Sequence, residues 1–262
     1  MADLKKLLFW CFLVFTLVCL ALMVEAHFRY RNRTGIDKDQ DFQGRYRYFV
    51  QSIYDEQQKI IGYELLLRSY NVQKQKWELP KNVDQFPLSL AAQVMIKMVN
   101  RAENVNFLAI NMTIRQLSDF RAERFFNWVL GNLDSQRLEV ELNADRIVSL
   151  NFWQRLKLRR IMHKFSSIVD FTIEGVDSSN FMYKKIRPLL PATTFIKFNV
   201  DAFHKSPDHW IDITLAQWQR IMKEYKVRPI LGRIESQEEI ELANQLGIDR
   251  RQGFAYGSPQ KI

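Results

Sequence analysis

Cysteine is almost absent from this chain of 262 residues. Its two cysteines, Cys11 and Cys19, both fall inside the first apolar segment. The remainder has no thiol for a disulfide framework or a cysteine-held metal, and it sets no redox requirement. Histidine is scarce too, at four residues. His163, His204 and His209 show no metal-ligand spacing and are expected to face solvent or polar neighbours. No run of Lys and Arg interleaves with aromatics as a nucleic-acid surface would require, so nucleic acid is not an expected partner. There is no internal repeat and no low-complexity tract.

Positive charge is in excess. The chain carries 38 Lys and Arg against 29 Asp and Glu, a formal net charge of +9. Residues 1–43 hold six basic and five acidic side chains, so about +8 belongs to the rest. Such a domain suits an anionic ligand, an acidic partner or an anionic membrane face. Charge of this size also serves plain solubility.

Hydrophobicity is concentrated in one long run, Leu7 to Val24, in which Thr16 is the only polar interruption. Its 18 residues are near the lower limit for spanning a bilayer core. A cleaved signal peptide is the competing reading, because Val24-Glu25-Ala26 loosely resembles a small-residue cleavage site. The run is long for a signal core, and Glu25 is an unusual neighbour for such a site. Val18 before Cys19 argues against a lipoprotein signal. An uncleaved anchor over residues 1–26 is therefore expected. Lys5 and Lys6 precede it, whereas Arg29, Arg31, Arg33 and Lys38 follow, which favours a cytoplasmic C-terminal side and a single pass of the cell membrane. Residues 27–43 are polar and read as a linker.

From residue 44 onward, strand-like and helix-like patterns alternate. Strands are expected at 45–54, 60–68, 107–112, 138–142, 167–174, 194–199 and 227–234, the first two as a hairpin around Glu56-Gln57-Gln58-Lys59. Helical spacing covers 88–101, 120–133, 150–165, 215–225 and 237–246. Ser236 to Glu239 reads as a capping box, with Gly247 at the other end of that helix. Trp128, Trp153, Trp210 and Trp218 are expected to anchor packing. Alternation of this kind implies a mainly parallel sheet, and the length suits a (β/α) barrel over residues 44–262. The strand-like runs hold single polar residues at or near their ends: Glu64, Asn111, Glu141, Glu174 and Lys197, with Glu235 just beyond the last. Polar groups at the C-terminal ends of barrel strands are how such a fold builds a site. Lys197 in an apolar strand needs partners, because burying a lone ammonium is costly.

The motifs resemble those of EAL domains. Gly62-Tyr63-Glu64-Leu65-Leu66-Leu67-Arg68 resembles the signature Glu-Ala-Leu-x-Arg. Ala109-Ile110-Asn111-Met112-Thr113, Glu139-Val140-Glu141-Leu142 and Phe195-Ile196-Lys197-Phe198-Asn199 resemble the next blocks. Arg233-Ile234-Glu235-Ser236 through Gly253-Phe254 and Pro259 resembles the C-terminal one. The resemblance implies a TIM-like α/β barrel of the EAL type. It also implies a cyclic di-GMP phosphodiesterase that makes pGpG with two Mg²⁺ or Mn²⁺ ions, roughly 3.5–4 Å apart in such sites. By resemblance, Glu64, Asn111, Glu141 and Glu174 match metal ligands. Lys197 and Glu235 match catalytic positions, Arg68 a phosphate-facing arginine and Gln252 a late active-site glutamine, so that Glu64, Arg68 and Gln252 would contact the ligand.

The departures cluster where acids should be. The paired aspartates of the fifth strand have no counterpart in Val169 to Asp177; Glu174 is the preferred match, with Gly175 beside it, and Asp170 is the rival. Gly232 replaces a glutamate, Asn143-Ala144 a Thr-Glu pair, and Asn199 an aspartate. Loss of these carboxylates predicts a weak or inactive enzyme with a residual metal site. Three readings follow: a membrane-tethered cyclic di-GMP receptor acting on a partner protein, a nucleotide-independent interaction module, or a weak phosphodiesterase. The resemblance also implies that copies could pair through barrel faces as a homodimer.

Overall fold

The computed structural model describes residues 2–31, 44–99, 101–102, 105–204 and 210–261. The chain divides into two units, Met1–Gly35 and Ile36–Ile262. The first contains one helix, α1 (Ala2–Arg31). Its stretch Leu4–Glu25 has a mean hydropathy of 2.8 and is long and apolar enough to cross a membrane. The helix continues five residues past the anchor expected over 1–26. The rest of the expected linker, with Arg33 and Lys38, lies outside the described residues, as does His209.

The second unit is a closed barrel. Its strands are β1 (Tyr46–Tyr54), β2 (Ile60–Asn71), β3 (Lys76–Glu78), β4 (Phe107–Asn111), β5 (Arg137–Asn143), β6 (Asp170–Val176), β7 (Phe195–Asn199), β8 (Arg228–Gly232) and β9 (Arg250–Arg251). The order β1-β9-β8-β7-β6-β5-β4-β2, closed by β1–β2, gives eight staves, with β3 hanging from β2. All neighbouring staves are parallel except β1, which runs antiparallel to both β2 and β9. The expected hairpin joins β1 to β2, with Asp55 Oδ1 accepting from the amides of Gln57 and Lys59 at 2.9 and 2.8 Å.

Nine helices are described: α1, α2 (Leu88–Val99), α3 (Ile114–Leu117), α4 (Ala122–Leu130), α5 (Ala144–Val148), α6 (Phe152–Phe165), α7 (Asn180–Ile186), α8 (Leu215–Tyr225) and α9 (Gln237–Gln245). Capping boxes start α3, α6, α8 and α9, the last being the expected Ser236–Glu239 pair. Each satisfies orphan amides at its helix start, and those of α3 and α9 do so just past the ends of β4 and β8. Helices and strands share a core in which Phe126 meets Phe165 and Phe198 meets Trp218.

Several expectations shift. The strand expected at 167–174 starts at Asp170, because Ile168 and Val169 donate back to the Phe165 carbonyl at 2.9 and 3.0 Å and close the end of α6. It runs on through Val176, with a register break at Gly175 (φ +73°). β8 ends at Gly232, since Arg233 takes a left-handed conformation (φ +58°). The tryptophans do not all anchor packing. Trp218 is fully buried and donates to the Asp177 carbonyl at 3.2 Å. Trp153 and Trp210 are 74% and 81% exposed. Trp153 sits off the face of α6 that Leu158, Met162 and Phe165 bury, and Trp210 lies in an irregular stretch. Of the histidines, His163 is exposed, and His204 lies 3.5 Å from Glu239.

Candidate functional site

Side chains alternate across a strand, so residues two apart on β2 or β5 point the same way. Glu64 on β2, Glu141 on β5 and Lys197 on β7 are all buried and meet near the C-terminal end of the barrel. Lys197 Nζ donates to Glu64 Oε2 at 2.8 Å and to both oxygens of Glu141 at 3.0 and 3.2 Å. Asn111 Nδ2 donates to Glu64 Oε1 at 2.6 Å, and Gln252 Nε2 to Glu64 Oε2 at 2.7 Å. Glu174 lies opposite Lys197 in the β6–β7 register and hydrogen-bonds Glu141. Five of the residues singled out by sequence thus form one connected cluster with Glu64.

The electrostatics are uneven. Burial raises the Glu64 carboxyl, but the Lys197 ammonium, aided by Gln252 and Asn111, more than offsets this and holds its pKa below the usual range. Burial and the neighbouring Glu64 drive Glu141 well above that range, against the pull of Lys197. Glu174 is raised mainly by burial. Lys197 is raised despite burial because Glu141, Glu64 and Glu174 surround it. It stays an ammonium and offers charge, not basicity.

Above the cluster opens a cavity of about 470 Å³. Glu64, Glu174, Lys197, Glu235 and Gln252 line it, together with Gln51, Asn143, Asn199, Asp201, Arg233 and Phe254. Glu235 is exposed at its rim. Arg68 stands apart: half-buried further along β2, it donates to the Leu67 carbonyl at 3.0 Å and is not among the lining residues. Asp170, the rival match on β6, is at the opposite end of its strand. Arg137 holds it at 2.8 Å and Thr194 at 3.0 Å, so it cannot serve the mouth. The sequence reading missed Gln51 and Asp201. Gln51 faces Glu64 across the β1–β2 ladder; its position in an alternating strand was the only signal. Asp201 pairs with Arg233 at 3.4 Å from a turn that has no periodicity.

One carboxylate oxygen from each of Glu64, Glu141 and Glu174 lies within 4.8 Å of the other two. That spacing suits one hard cation, which needs oxygen ligands. The contents do not suit a pair of divalent ions. The ammonium of Lys197 stands between Glu64 and Glu141, and Glu64 already accepts three hydrogen bonds. Gly175 and Gly232 contribute no ligand where further acids would be needed.

No protein-family model matches the sequence, and no curated protein is significantly similar to it. Solved structures do match in fold. The EAL enzyme Bd1971 in its cAMP- and cyclic-di-GMP-bound form gives a TM-score of 0.64 at 15% identity, over 95% of this chain and 67% of that one. The FimX EAL domain from Pseudomonas aeruginosa bound to c-di-GMP gives 0.58 at 15% identity, over 92% and 96%. The Bacillus subtilis YkuI protein, with an EAL domain and in complex with c-di-GMP and calcium, gives 0.63 at 16% identity, over 83% and 55%. The barrel of this chain therefore has the TIM-like fold of EAL domains, and one apolar helix precedes it in the sequence.

Proposed function

We propose that this chain is a membrane-tethered signalling protein whose barrel binds cyclic di-GMP as a receptor and does not hydrolyse it. The observation that carries the reading is the occupied cluster: Lys197 among Glu64, Glu141 and Glu174, with glycine at 175 and 232. Hydrolysis by two metals needs an open, acid-rich pair of sites. Binding needs less. The cavity is within the size range of ligand pockets. Phe254, 62% exposed, offers a face on which a base could stack. The buried Oε1 of Gln252 has no partner and could accept from a ligand N–H. Arg233 and Lys197 supply positive charge at the same mouth. The FimX and YkuI structures, which hold c-di-GMP on this fold, support the choice of ligand. In this reading α1 is a single-pass anchor in the cell membrane, the barrel is cytoplasmic, and ligand state is passed to a partner protein.

The test is calorimetric titration of cyclic di-GMP into the full chain in detergent, with Mg²⁺ and with EDTA, followed by product analysis. Metal-independent binding without pGpG is expected. Mg²⁺- or Mn²⁺-dependent pGpG from a clean preparation would overturn the reading. A nucleotide-independent interaction module is the second reading. It is favoured by one observation: four of the six charged residues lining the cavity are acids, Glu64, Glu174, Asp201 and Glu235. No heat of binding under either condition would select it.

A further inference from the structure

The excess charge of the barrel is gathered on one flank. Helix α6 carries Arg155, Lys157, Arg159, Arg160 and Lys164, and α7 with the turn after it carries Lys184, Lys185 and Arg187. Neither segment holds an acid, and these eight account for the whole net charge of residues 44–262. The two lie side by side, because α6 leads into β6, α7 leaves it, and the turn Arg187–Ala192 packs on α6. Arg159, Arg160 and His163 face Pro188 and Pro191 across a groove of about 280 Å³. Of the eight, only Lys164 has an ion-pair partner among the described residues, Glu123.

Exposed rings border these charges. Trp153, Lys157, Arg160 and Lys164 recur four and three residues apart, which makes one stripe away from the face that Leu158, Met162 and Phe165 bury. Phe152 is exposed beside Trp153, and Phe181 is exposed in the first turn of α7. Exposed Trp210 joins them: Asp212, two residues on, accepts from the Asn180 amide at 2.9 Å and ties that stretch to the start of α7. Unpaired Lys and Arg beside exposed Trp and Phe match the surface of an anionic bilayer, where rings settle among the headgroups and each basic side chain is attracted. We propose that this flank of the barrel docks on an anionic membrane surface. The same charges would attract a nucleic acid. The bilayer is favoured because Leu4–Glu25 of this chain is long and apolar enough to cross one, which would keep a lipid surface within reach. The inference rests on the anchor in the reading above and stands whether or not a nucleotide binds.

The test takes the full chain in lipid nanodiscs of phosphatidylcholine, alone or mixed with phosphatidylglycerol, and reads hydroxyl-radical oxidation of its aromatic side chains by mass spectrometry. In the anionic discs, oxidation of Phe152, Trp153 and Phe181 should fall severalfold, with Trp128 on α4 unchanged. About 0.5 M salt should restore it by screening. A Lys or Arg near such a surface strengthens attachment about fivefold, so removing three charges should weaken docking roughly a hundredfold. The variant is Arg159→Gln with Arg160→Gln and Lys184→Gln, all exposed, and its oxidation should stay at the neutral-lipid level. If it melts earlier than wild type, the salt arm on the wild-type chain decides. Equal oxidation in both lipids overturns the inference: if high, the flank is undocked, and if low, a second copy covers it. Shielding that survives in the triple variant overturns it too. RNA binding that the triple variant loses, with no shielding by anionic lipid, would assign the flank to nucleic acid instead. A chain that stays out of neutral discs fails the anchor reading alone. Docking is then read by sedimentation with phosphatidylglycerol vesicles: binding by wild type and not by the triple variant supports it, and no binding overturns it.

Discussion

The two ends of this barrel solve the same problem differently. β5 places Glu139 and Glu141 two residues apart, so both point the same way and both are buried. At the lower end, Glu139 accepts from Arg250 at 2.6 Å. The guanidinium lies 4.1 Å from the Phe107 ring centre and 3.8 Å from that of Phe195. Below it, Arg137 holds Asp170. Each acid has its own base, and two rings flank the inner one. At the upper end one lysine serves three acids under an open cavity. The lower end gives each acid its own arginine, although Glu139 Oε2 is buried without a hydrogen-bond partner. The upper end gathers three acids round one lysine beneath an open cavity. In barrels of this kind the C-terminal face carries function and the opposite face stability.

Four experiments sharpen or break this contrast. The largest effect is expected from Arg250→Met. It leaves the Glu139 carboxyl buried without its base, at a cost of about 3–5 kcal/mol near neutral pH, read by urea unfolding. The deficit should shrink as pH falls, because burial already raises the Glu139 carboxyl and loss of Arg250 raises it further, so that it protonates without its base. An unchanged midpoint would show that the lower ion pair is not structural.

Next comes an opposed pair at the upper end. The folded pKa of Glu64 is depressed, so its contribution is present above the unfolded value of about 4.3 and is lost as pH falls through the folded value. The folded pKa of Glu141 is raised, so its contribution is present below that value and is lost as pH rises through the folded one. Glu64→Gln should therefore melt below wild type at pH 7, with the gap closing in acid. Glu141→Gln should gain on wild type as pH rises from 4 to 8. Melting curves that move in parallel for both variants would refute the uneven electrostatics.

Phe254→Ala should leave the melting temperature in place but weaken cyclic di-GMP binding by about tenfold, at the lower end of the range for base stacking. Unchanged affinity would remove Phe254 from the receptor reading. The smallest effect belongs to Gly232→Ala, where the new methyl would just touch the Lys197 stem; the shift should stay within about 1 kcal/mol in either direction. A larger loss would mean that Lys197 has no slack at all.

The legible part of this molecule was its strand ends. Glu64, Asn111, Glu141, Glu174 and Lys197 each stand at or near the end of an apolar run, and polar groups in such places announce themselves. Gln252 was legible only through its motif. The ion pair of Glu139 and Arg250 was not, because its members are 111 positions apart and neither interrupts a pattern. Helices α3, α5 and α7 escaped because runs of four to seven residues are too short to show a period. Arg68 is the instructive case. Its place in the signature motif suggested a ligand contact, yet the side chain turns to its own strand's backbone and stays off the cavity wall.

The seam of the barrel has a consequence for the order of events as the chain is made. β1 is the first stave synthesised, yet it closes the ring by pairing with the last, Tyr54 against Arg251 and Val50 against Gln260. A ribosome must release the chain through Arg251 before that joint can form, and until then β1 presents one unpaired edge to the cell. Loss of the final dozen residues would take Arg251 and Gln260 with it. That deletion would leave a complete set of helices around a ring that cannot shut.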